Sequence, residues 1–281
     1  ERVLDAAKAV PISADQKILH VLPQEFIIDG QGNIREPIGM AGVRLEARVH
    51  IVTGAVSAAQ NIIKCIRRCG LEVHDISLEQ LASSHAVLTD DEKELGVCLV
   101  DIGGGTTDVA VFSHGAIQST AVIPIAGDQV TNDIAMALRT PTKAAEAMKL
   151  EHGCAMSELA SPGQMLEVLS VNERPGRKIS THALAEVVSA RYEELFALIR
   201  HELHVSGFND LIAAGMVLTG GASNVHGAVD LAEMCFEMPV RQGRVPELTG
   251  LSDEMMDPSW ATGVGLLLHG FQQQHEAGYN G

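Results

Sequence analysis

Leu99-Val100-Asp101-Ile102-Gly103-Gly104-Gly105-Thr106-Thr107-Asp108-Val109-Ala110-Val111 joins two apolar, β-prone runs through a triple-glycine turn. The pattern predicts an antiparallel hairpin. Glycine lets main chain come close to a ligand and adopt dihedrals other residues avoid, so the turn's N–H groups are suited to phosphate oxygens. Asp101 ends the first strand and Asp108 starts the second, which suits them to hydrated Mg2+, an oxygen-seeking ion that keeps several waters. Thr106 and Thr107 supply hydroxyls for phosphate or for an attacking water. No GxxxxGK[ST] occurs and the glycines lead into a strand, so this is not a P-loop. The competing reading is a plain glycine-rich hairpin with two surface aspartates.

Two further segments favour the first reading. Met216-Val217-Leu218-Thr219-Gly220-Gly221-Ala222-Ser223 reads as a buried strand ending in a Gly-Gly turn before a helix, a second place where a ligand could rest on backbone. In Ala145-Glu146-Ala147-Met148-Lys149, Glu146 and Lys149 are three apart and share a helix face. Taken alone, that pair is an ordinary solvated salt bridge.

Outward from the hairpin, residues 97–101, 107–112 and 116–123 predict three strands, and Val130, Ile134 and Leu138 share one helical face. A helix over 143–152 follows Pro141, and the Pro-, Gly- and Asn-rich 161–180 predicts a loop or irregular hairpin. Leu184, Val188, Leu195, Ile199 and Leu203 mark a long amphipathic helix closed by Gly207. Strands are expected over 213–219 and 238–241, and helices over 225–236 and 259–268. Upstream, 17–22, 25–28 and 47–53 predict a small sheet. Ala59, Ile62, Ile63, Ile66 and Cys69 predict a helix capped at Gly70, and a second helix is expected over 76–88.

With 281 residues and 46% hydrophobic composition, the chain has enough apolar material for one or two domains. Acidic residues outnumber basic ones by 36 to 20, a net charge of −16 with no basic stripe, which argues against nucleic acid as a partner. The longest apolar runs reach about eight residues, far short of the roughly 20 that cross a bilayer. Cys65, Cys69, Cys98, Cys154 and Cys235 show no CxxC spacing and are read as core residues of a protein from a reducing compartment. The glycines of Gly263-Val264-Gly265 are too irregular for a dinucleotide loop and read as a packed helix start, and His201 and His204 lack a third ligand for a metal.

The two glycine turns and the Glu146/Lys149 helix, in this order, resemble the superfamily of actin, heat-shock chaperones and sugar kinases. Lys17-Ile18-Leu19-His20-Val21-Leu22-Pro23-Gln24-Glu25-Phe26, Gly39-Met40-Ala41-Gly42-Val43-Arg44-Leu45, Leu81-Ala82-Ser83-Ser84-His85-Ala86-Val87-Leu88 and Gly250-Leu251-Ser252 narrow the resemblance to the FtsA family of bacterial cell-division proteins, over nearly the whole chain. The resemblance implies an α/β, actin-like (ribonuclease H-like) ATPase fold with the FtsA-type inserted subdomain. It implies residues 1–52 as that inserted subdomain and 53–87 as the remainder of a first large subdomain. Residues 88–134 and 206–281 would form a second large subdomain, with 135–205 as its small companion.

Carried over residue by residue, Asp101, Gly103, Gly104, Gly105, Thr106, Thr107 and Asp108 match the second phosphate hairpin, with Asp101 and Asp108 toward Mg2+. Glu146 and Lys149 match the adenosine-contacting helix, and Gly220, Gly221 and Ala222 the adenosine turn. Glu79 stands near the position that orients the attacking water in some members, although Gln80 replaces the proline that often follows. Arg191 is similar to a position on the face that meets the FtsZ C-terminal tail, or else is an ordinary surface arginine.

The family's first phosphate hairpin and its membrane-binding amphipathic helix are expected to lie outside this sequence. The implied function is structural: binding ATP with weak or no ATPase activity, self-association into filaments, linking FtsZ filaments of the Z ring to the inner membrane, and recruiting later division proteins. The implied place is the cytoplasmic face of the inner membrane at the septum. A pilus-assembly relative and a small-molecule kinase of the same superfamily are the alternatives.

Overall fold

The computed structural model describes residues 2–169, 176–250 and 252–279, the side chains of 275–279 excepted. Residues 170–175 of the expected 161–180 hairpin, and Leu251, lie outside the described residues.

After a short helix α1 (Arg2–Ala7), β1 (Gln16–Ile28), β2 (Gln31–Ile34) and β3 (Leu45–Ala55) form an antiparallel sheet in the order β2-β1-β3. The two expected strands 17–22 and 25–28 are one strand, its register shifting near Pro23, which cannot donate to the ladder. Helix α2 (Val56–Arg68) follows, and Gly70 takes a left-handed φ of +77° just beyond it.

Residues 71–78, partly expected to be helical, are not, and α3 begins only at Glu79 (Glu79–Val87). Local side chains compete for the backbone there: the Ile76 amide donates to Asp75 and the Leu78 amide to His20 Nε2 at 2.9 Å. Short helix α4 (Asp90–Leu95) starts in a capping box in which Thr89 and Glu92 satisfy each other's amides.

The main sheet comprises β4 (Val97–Ile102), β5 (Thr107–Ser113), β6 (Ala116–Ile123), β9 (Met216–Thr219) and β10 (Val240–Gln242), in the order β10-β9-β4-β5-β6. Strand β4 is buried along its whole length because both faces are covered, which explains its unbroken apolar sequence. Cys98, Val100 and Ile102 face a large core shared with α5 (Gly127–Leu138), α7 (Thr181–Ser206) and α8 (Ala228–Phe236). Val97 and Leu99 face a smaller core under α3 and α9 (Ala261–Tyr279). Each such aliphatic side chain, fully buried, contributes about 1.5–3 kcal/mol. Helix α6 (Thr142–His152) and the hairpin β7 (Met165–Val168) with β8 (Arg177–Ser180) complete the fold.

Two of the five cysteines expected in the core, Cys65 and Cys69, are exposed, and Cys235 is half-buried. The first two ride on α2, which buries only Ala59 and leaves Ile62 and Ile66 exposed. No helix among the described residues is long and apolar enough to cross a membrane.

Helices α3 and α9 cross at Gly265, where a Cβ would lie 1.8 Å from the Ala82 carbonyl oxygen. Gly263, one half-turn earlier, has open space. Gly265→Ala should therefore lower stability by about 2 kcal/mol through forced separation of the helices. Gly263→Ala should be neutral or stabilising by about 0.5–1 kcal/mol through helix propensity. Thermal unfolding of the two variants beside the parent checks the contrast.

Candidate functional site

The β4–β5 hairpin pairs Asp101 with Asp108, and β9 lies parallel to β4 with Thr219 beside Asp101. Both glycine turns therefore emerge at one end of the sheet. Between them is a cleft of about 510 Å3 whose lining includes Glu79, Asp101, Gly103, Gly104, Asp128, Glu146, Lys149 and Gly220 to Ala222. That volume is in the range of small-molecule sites.

The hairpin turn offers amides because its carbonyls are already used. Gly127 N–H donates to the Gly103 carbonyl at 3.1 Å and Asp128 N–H to the Gly104 carbonyl at 2.8 Å, docking the start of α5 on the turn. Gly103 N–H closes the turn on the Thr106 carbonyl. Among the described residues no acceptor takes the exposed amides of Gly104 and Gly105. An orphan donor set of this kind is what an anionic oxygen requires.

Opposite, Gly220 has φ +83°, and a Cβ there would fall 2.3 Å from Asp101 Oδ1 and 2.4 Å from the Ile102 carbonyl. Only glycine allows the two turns to approach this closely. Ser223 Oγ donates to the Gly220 carbonyl at 2.7 Å, and Tyr192 Oη reaches from α7 to the Ala222 carbonyl at 2.6 Å. Burial pushes the Tyr192 hydroxyl well above its ordinary range, keeping it a donor.

The carboxylates are held by neutral donors. Ser83 Oγ donates to Asp101 Oδ2 at 2.6 Å and Thr262 Oγ1 adds a longer bond of 3.3 Å. Asp108 accepts from Gln80 Nε2 at 2.8 Å and from Thr106 Oγ1 at 3.1 Å. Burial raises the pKa of Asp101 against these bonds, and raises that of Asp108 with help from Asp101's charge. Glu79 is raised by burial and then by the charges of Asp108 and Asp101. Lys149 is the buried cation of the cleft; its Nζ donates to Gly127 O at 3.0 Å, Thr131 Oγ1 at 2.9 Å and Glu146 at 2.8 Å. Burial raises the Glu146 pKa, but the bonds from Lys149 and Thr131 and the lysine's charge outweigh it, so the carboxyl stays low.

The structure thus brings Glu79, Asp101, Gly103, Gly104, Glu146, Lys149, Gly220, Gly221 and Ala222 to one cleft. Gly105 and Thr106 form the exposed tip of the hairpin. Thr107 departs from expectation. It is fully buried and its hydroxyl donates to the Ile125 carbonyl at 2.7 Å, so it braces the turn from behind. Arg191 is not free on the surface: it bonds both oxygens of Asp133 at 2.6 and 2.9 Å, and Glu194 at 2.5 Å. His201 and His204 are exposed, and no group of three or more His, Cys, Asp or Glu among the described residues is placed to hold a metal. Asp101 and Asp108 would offer two carboxylates, within the one or two that hydrated Mg2+ takes from protein where phosphate supplies further oxygens.

Sequence reasoning missed Gln80, Ser83, Asp128, Tyr192 and Thr262. Gln80 and Ser83 are polar, buried and three apart on α3, a face whose role shows only once the helix is packed against the hairpin.

The solved structures most useful for comparison share this architecture. MreB5 of Spiroplasma citri bound to ADP superposes with a TM-score of 0.62 at 18% identity, covering 81% of this chain and 68% of that one. A PilM–PilN type IV pilus biogenesis complex gives 0.66 at 15% identity, covering 95% and 70%. The fold is that of the actin-like ATPases.

Family models match as well, "Cell division protein FtsA" over residues 98–265 and "SHS2 domain inserted in FTSA" over 1–53. The chain is 63% identical over 276 residues to the cell division protein FtsA of Pseudomonas aeruginosa, covering 98% of this chain and 66% of that protein. It is 46% identical to the FtsA of Escherichia coli K12, covering 96% and 66%. The chain belongs to the FtsA family of cell-division proteins, and it spans just under two thirds of the length of these relatives.

The raised pKa of Asp101 has a consequence for stability. Because the folded state prefers the protonated form, folding loses stability as pH rises from the ordinary value of 3.8 through the higher folded value, and the loss persists at neutrality. Asp101→Asn should therefore raise the unfolding midpoint of the nucleotide-free protein at neutral pH, with a gain that shrinks toward zero as pH falls to 3.8. Calorimetric scans across that window check the sign.

Proposed function

We propose that the cleft binds ATP together with Mg2+. In this reading the exposed amides of Gly104 and Gly105 hold phosphate, and Asp101 and Asp108 hold the hydrated cation. The Glu146/Lys149 helix and the Gly220–Ala222 turn take the nucleoside side. When bound, Mg2+ supplies charge neutralisation between phosphate and protein. The observation that carries the reading is the pairing of two glycine turns across a cleft lined by the buried Asp101, with the buried Asp108 opposite it on the next strand.

The electrostatics support a cation as an obligatory partner of the nucleotide. Glu79, Asp101, Asp128, Glu146 and Glu151 face the cleft against the single lysine Lys149. Such a wall repels a bare triphosphate and admits one whose charge is reduced by a divalent ion. Glu79, exposed at the start of α3 and lining the cleft with Asp101, is the candidate to orient a water, and the family resemblance implies weak or no hydrolysis.

At the level of the whole protein, this chain would be the greater part of a division protein that self-associates into actin-like filaments. The filament-forming neighbour MamK, with a TM-score of 0.55 and 16% identity, supports that step by its fold alone. The small companion subdomain, 135–205, would receive the FtsZ tail near Arg191, and later division proteins would be recruited in turn. Residues 1–52 would be the inserted subdomain, 53–87 the remainder of the first large subdomain, and 88–134 with 206–281 the second. The whole protein would be attached to the cytoplasmic face of the inner membrane at the septum, as family membership suggests. Family membership favours this role over a pilus-assembly or kinase role.

Two outcomes are expected in the full-length protein containing this chain. Asp101→Ala should abolish Mg·ATP binding by calorimetric titration, and unchanged affinity would remove the hairpin from the nucleotide site. Co-sedimentation with FtsZ filaments should be lost in Arg191→Glu but kept in Asp133→Asn, which breaks the same ion pair and leaves the guanidinium in place. Loss in both would make Arg191 a structural residue.

A further inference from the structure

Helix α3 serves the cleft with three side chains: Glu79 lines it, Gln80 donates to Asp108 and Ser83 donates to Asp101. Its start is poorly fixed from within. The N-cap is Leu78, whose side chain makes no capping bond, and residues 71–78 before the helix are irregular. Among the described residues, the side-chain bonds of that stretch are otherwise local, from the Ile76 amide to Asp75 and from the Ser77 hydroxyl to the Leu78 carbonyl. What ties it to the β1–β3 sheet is the Leu78 amide, which donates to His20 Nε2 at 2.9 Å across 58 positions of sequence. Strand β1 is shaped for this contact. Its register against β3 shifts between Ile18 and His20, leaving Leu19 as an extra residue that packs over Gly54, where a Cβ would fall 2.7 Å from Leu19 Cδ1. A bulge re-aims the side chain that follows, and here that side chain is the imidazole reaching Leu78.

A ring nitrogen that accepts from an amide carries no proton, so His20 is neutral with its hydrogen on Nδ1. Imidazolium has two N–H groups and no acceptor, so protonation sets donor against donor and breaks the bond. The groups around the ring act in both senses. Burial disfavours the charged form most, Asp75 of the 71–78 stretch favours it and His269 of α9 opposes it, which leaves the pKa below its ordinary 6.5. On β3 the residue opposite is the uncharged Val52, and His50 beyond it is engaged with Thr120. His85 of α3 stacks on His269 at 5.0 Å, with Lys93 and Asp90 of α4 nearby, and burial pushes His85 down to about 4, so its charge does not enter at mildly acidic pH. Because the folded value of His20 is the lower one, its bond to Leu78 holds above 6.5 and is lost as pH falls through that folded value.

We propose that His20 is a positioning residue for the cleft, a latch by which the β1–β3 sheet holds the start of α3, closed while the imidazole is neutral and released when it is protonated. Release loosens the helix that presents Glu79 and supports both aspartates, so the small sheet and the cleft are coupled through one bond. The latch does not depend on which ligand the cleft takes. Its effect on affinity rests on the reading of the cleft as a Mg·ATP site.

The test compares the parent, His20→Gln and His20→Leu in the full-length protein containing this chain. Glutamine brings an amide oxygen near the place of Nε2 and accepts at every pH, whereas leucine fills the space and accepts at none. Amide hydrogen exchange over α3 is followed without nucleotide at about pH 7.5 and about pH 5, on either side of the ordinary imidazole value, and corrected for the intrinsic pH dependence of exchange. The parent should lose about five-fold in protection on acidification, the size of one hydrogen bond. His20→Gln should lose none, and His20→Leu should show the loss already at the higher pH. No acid loss in the parent, an equal loss in His20→Gln, or full protection in His20→Leu at the higher pH would each overturn the latch. Calorimetric titration of Mg·ATP at the same two pH values reads the coupling. Affinity should fall about five-fold further in the parent than in His20→Gln, and equal falls would remove His20 from the positioning of the cleft. Retained Mg·ATP affinity in Asp101→Ala would instead overturn the reading of the cleft and leave the exchange result standing.

Discussion

Asp101 and Asp108 stand directly opposite one another on neighbouring strands, both buried and both held by neutral donors instead of by a cation of the protein. Like charges in that position oppose strand pairing, and burial adds a desolvation cost to each. The surrounding fold is arranged to sustain this pair. Ser83 and Gln80 come from α3, Thr262 from α9 and Thr106 from the turn. Three separate elements must therefore keep their places for two carboxylates to keep theirs. The contact of Gly265 with the Ala82 carbonyl is part of the same arrangement, because it is the close crossing of α3 and α9 that lets Ser83 and Thr262 bond each other and share one oxygen of Asp101.

The phosphate-facing side of the cleft follows from where backbone groups are spent. Helix α5 takes the carbonyls of Gly103 and Gly104, which turns the remaining amides of the hairpin outward. Thr107 works on the inner side, locking the turn to Ile125. Across the cleft, α7 supports the opposing turn through Tyr192 and Ala222, while Lys149 ties α6 to the first turn of α5. Arg191 and Tyr192 are consecutive on α7: one faces Asp133 near the surface, the other the carbonyl of the Gly220 turn. A load on that face of α7 therefore acts on an element that touches the cleft directly.

The hairpin and both glycine turns were legible because glycine and aspartate at fixed offsets have few other uses, and β4 was legible because burial on both faces writes an unbroken apolar run. The residues that complete the site were hidden for a different reason. Ser83 and Thr262 are 179 positions apart and meet only because two helices cross, which no local period records. Thr106 and Thr107 look equivalent as sequence, yet strand alternation sends one to the turn tip and the other into the core. The helix expected over 76–88 was shortened by side chains of Asp75 and His20 that capture backbone amides, a tertiary effect in the second case. The cysteines of α2 misled because an apolar helical period predicts burial only where something covers that face.

The joint between the small sheet and the main sheet is built differently from the α3–α9 crossing. Leu22 reaches the smaller core, but most of the contact is polar: Gln24 donates to the Ile117 and Gln118 carbonyls, His50 meets Thr120, and Arg35 meets Glu94. Exposed ion pairs of the last kind contribute about 0–1 kcal/mol each. Such a joint holds orientation through directed bonds and can be remade at little cost, whereas the helix crossing excludes even one added carbon. Rigidity is thus concentrated around the paired aspartates, and the sheet of β1–β3 is attached by contacts that exchange readily with water. In a fold whose cleft must keep two buried carboxylates in register, that distribution places deformation in the polar joint before it reaches the site.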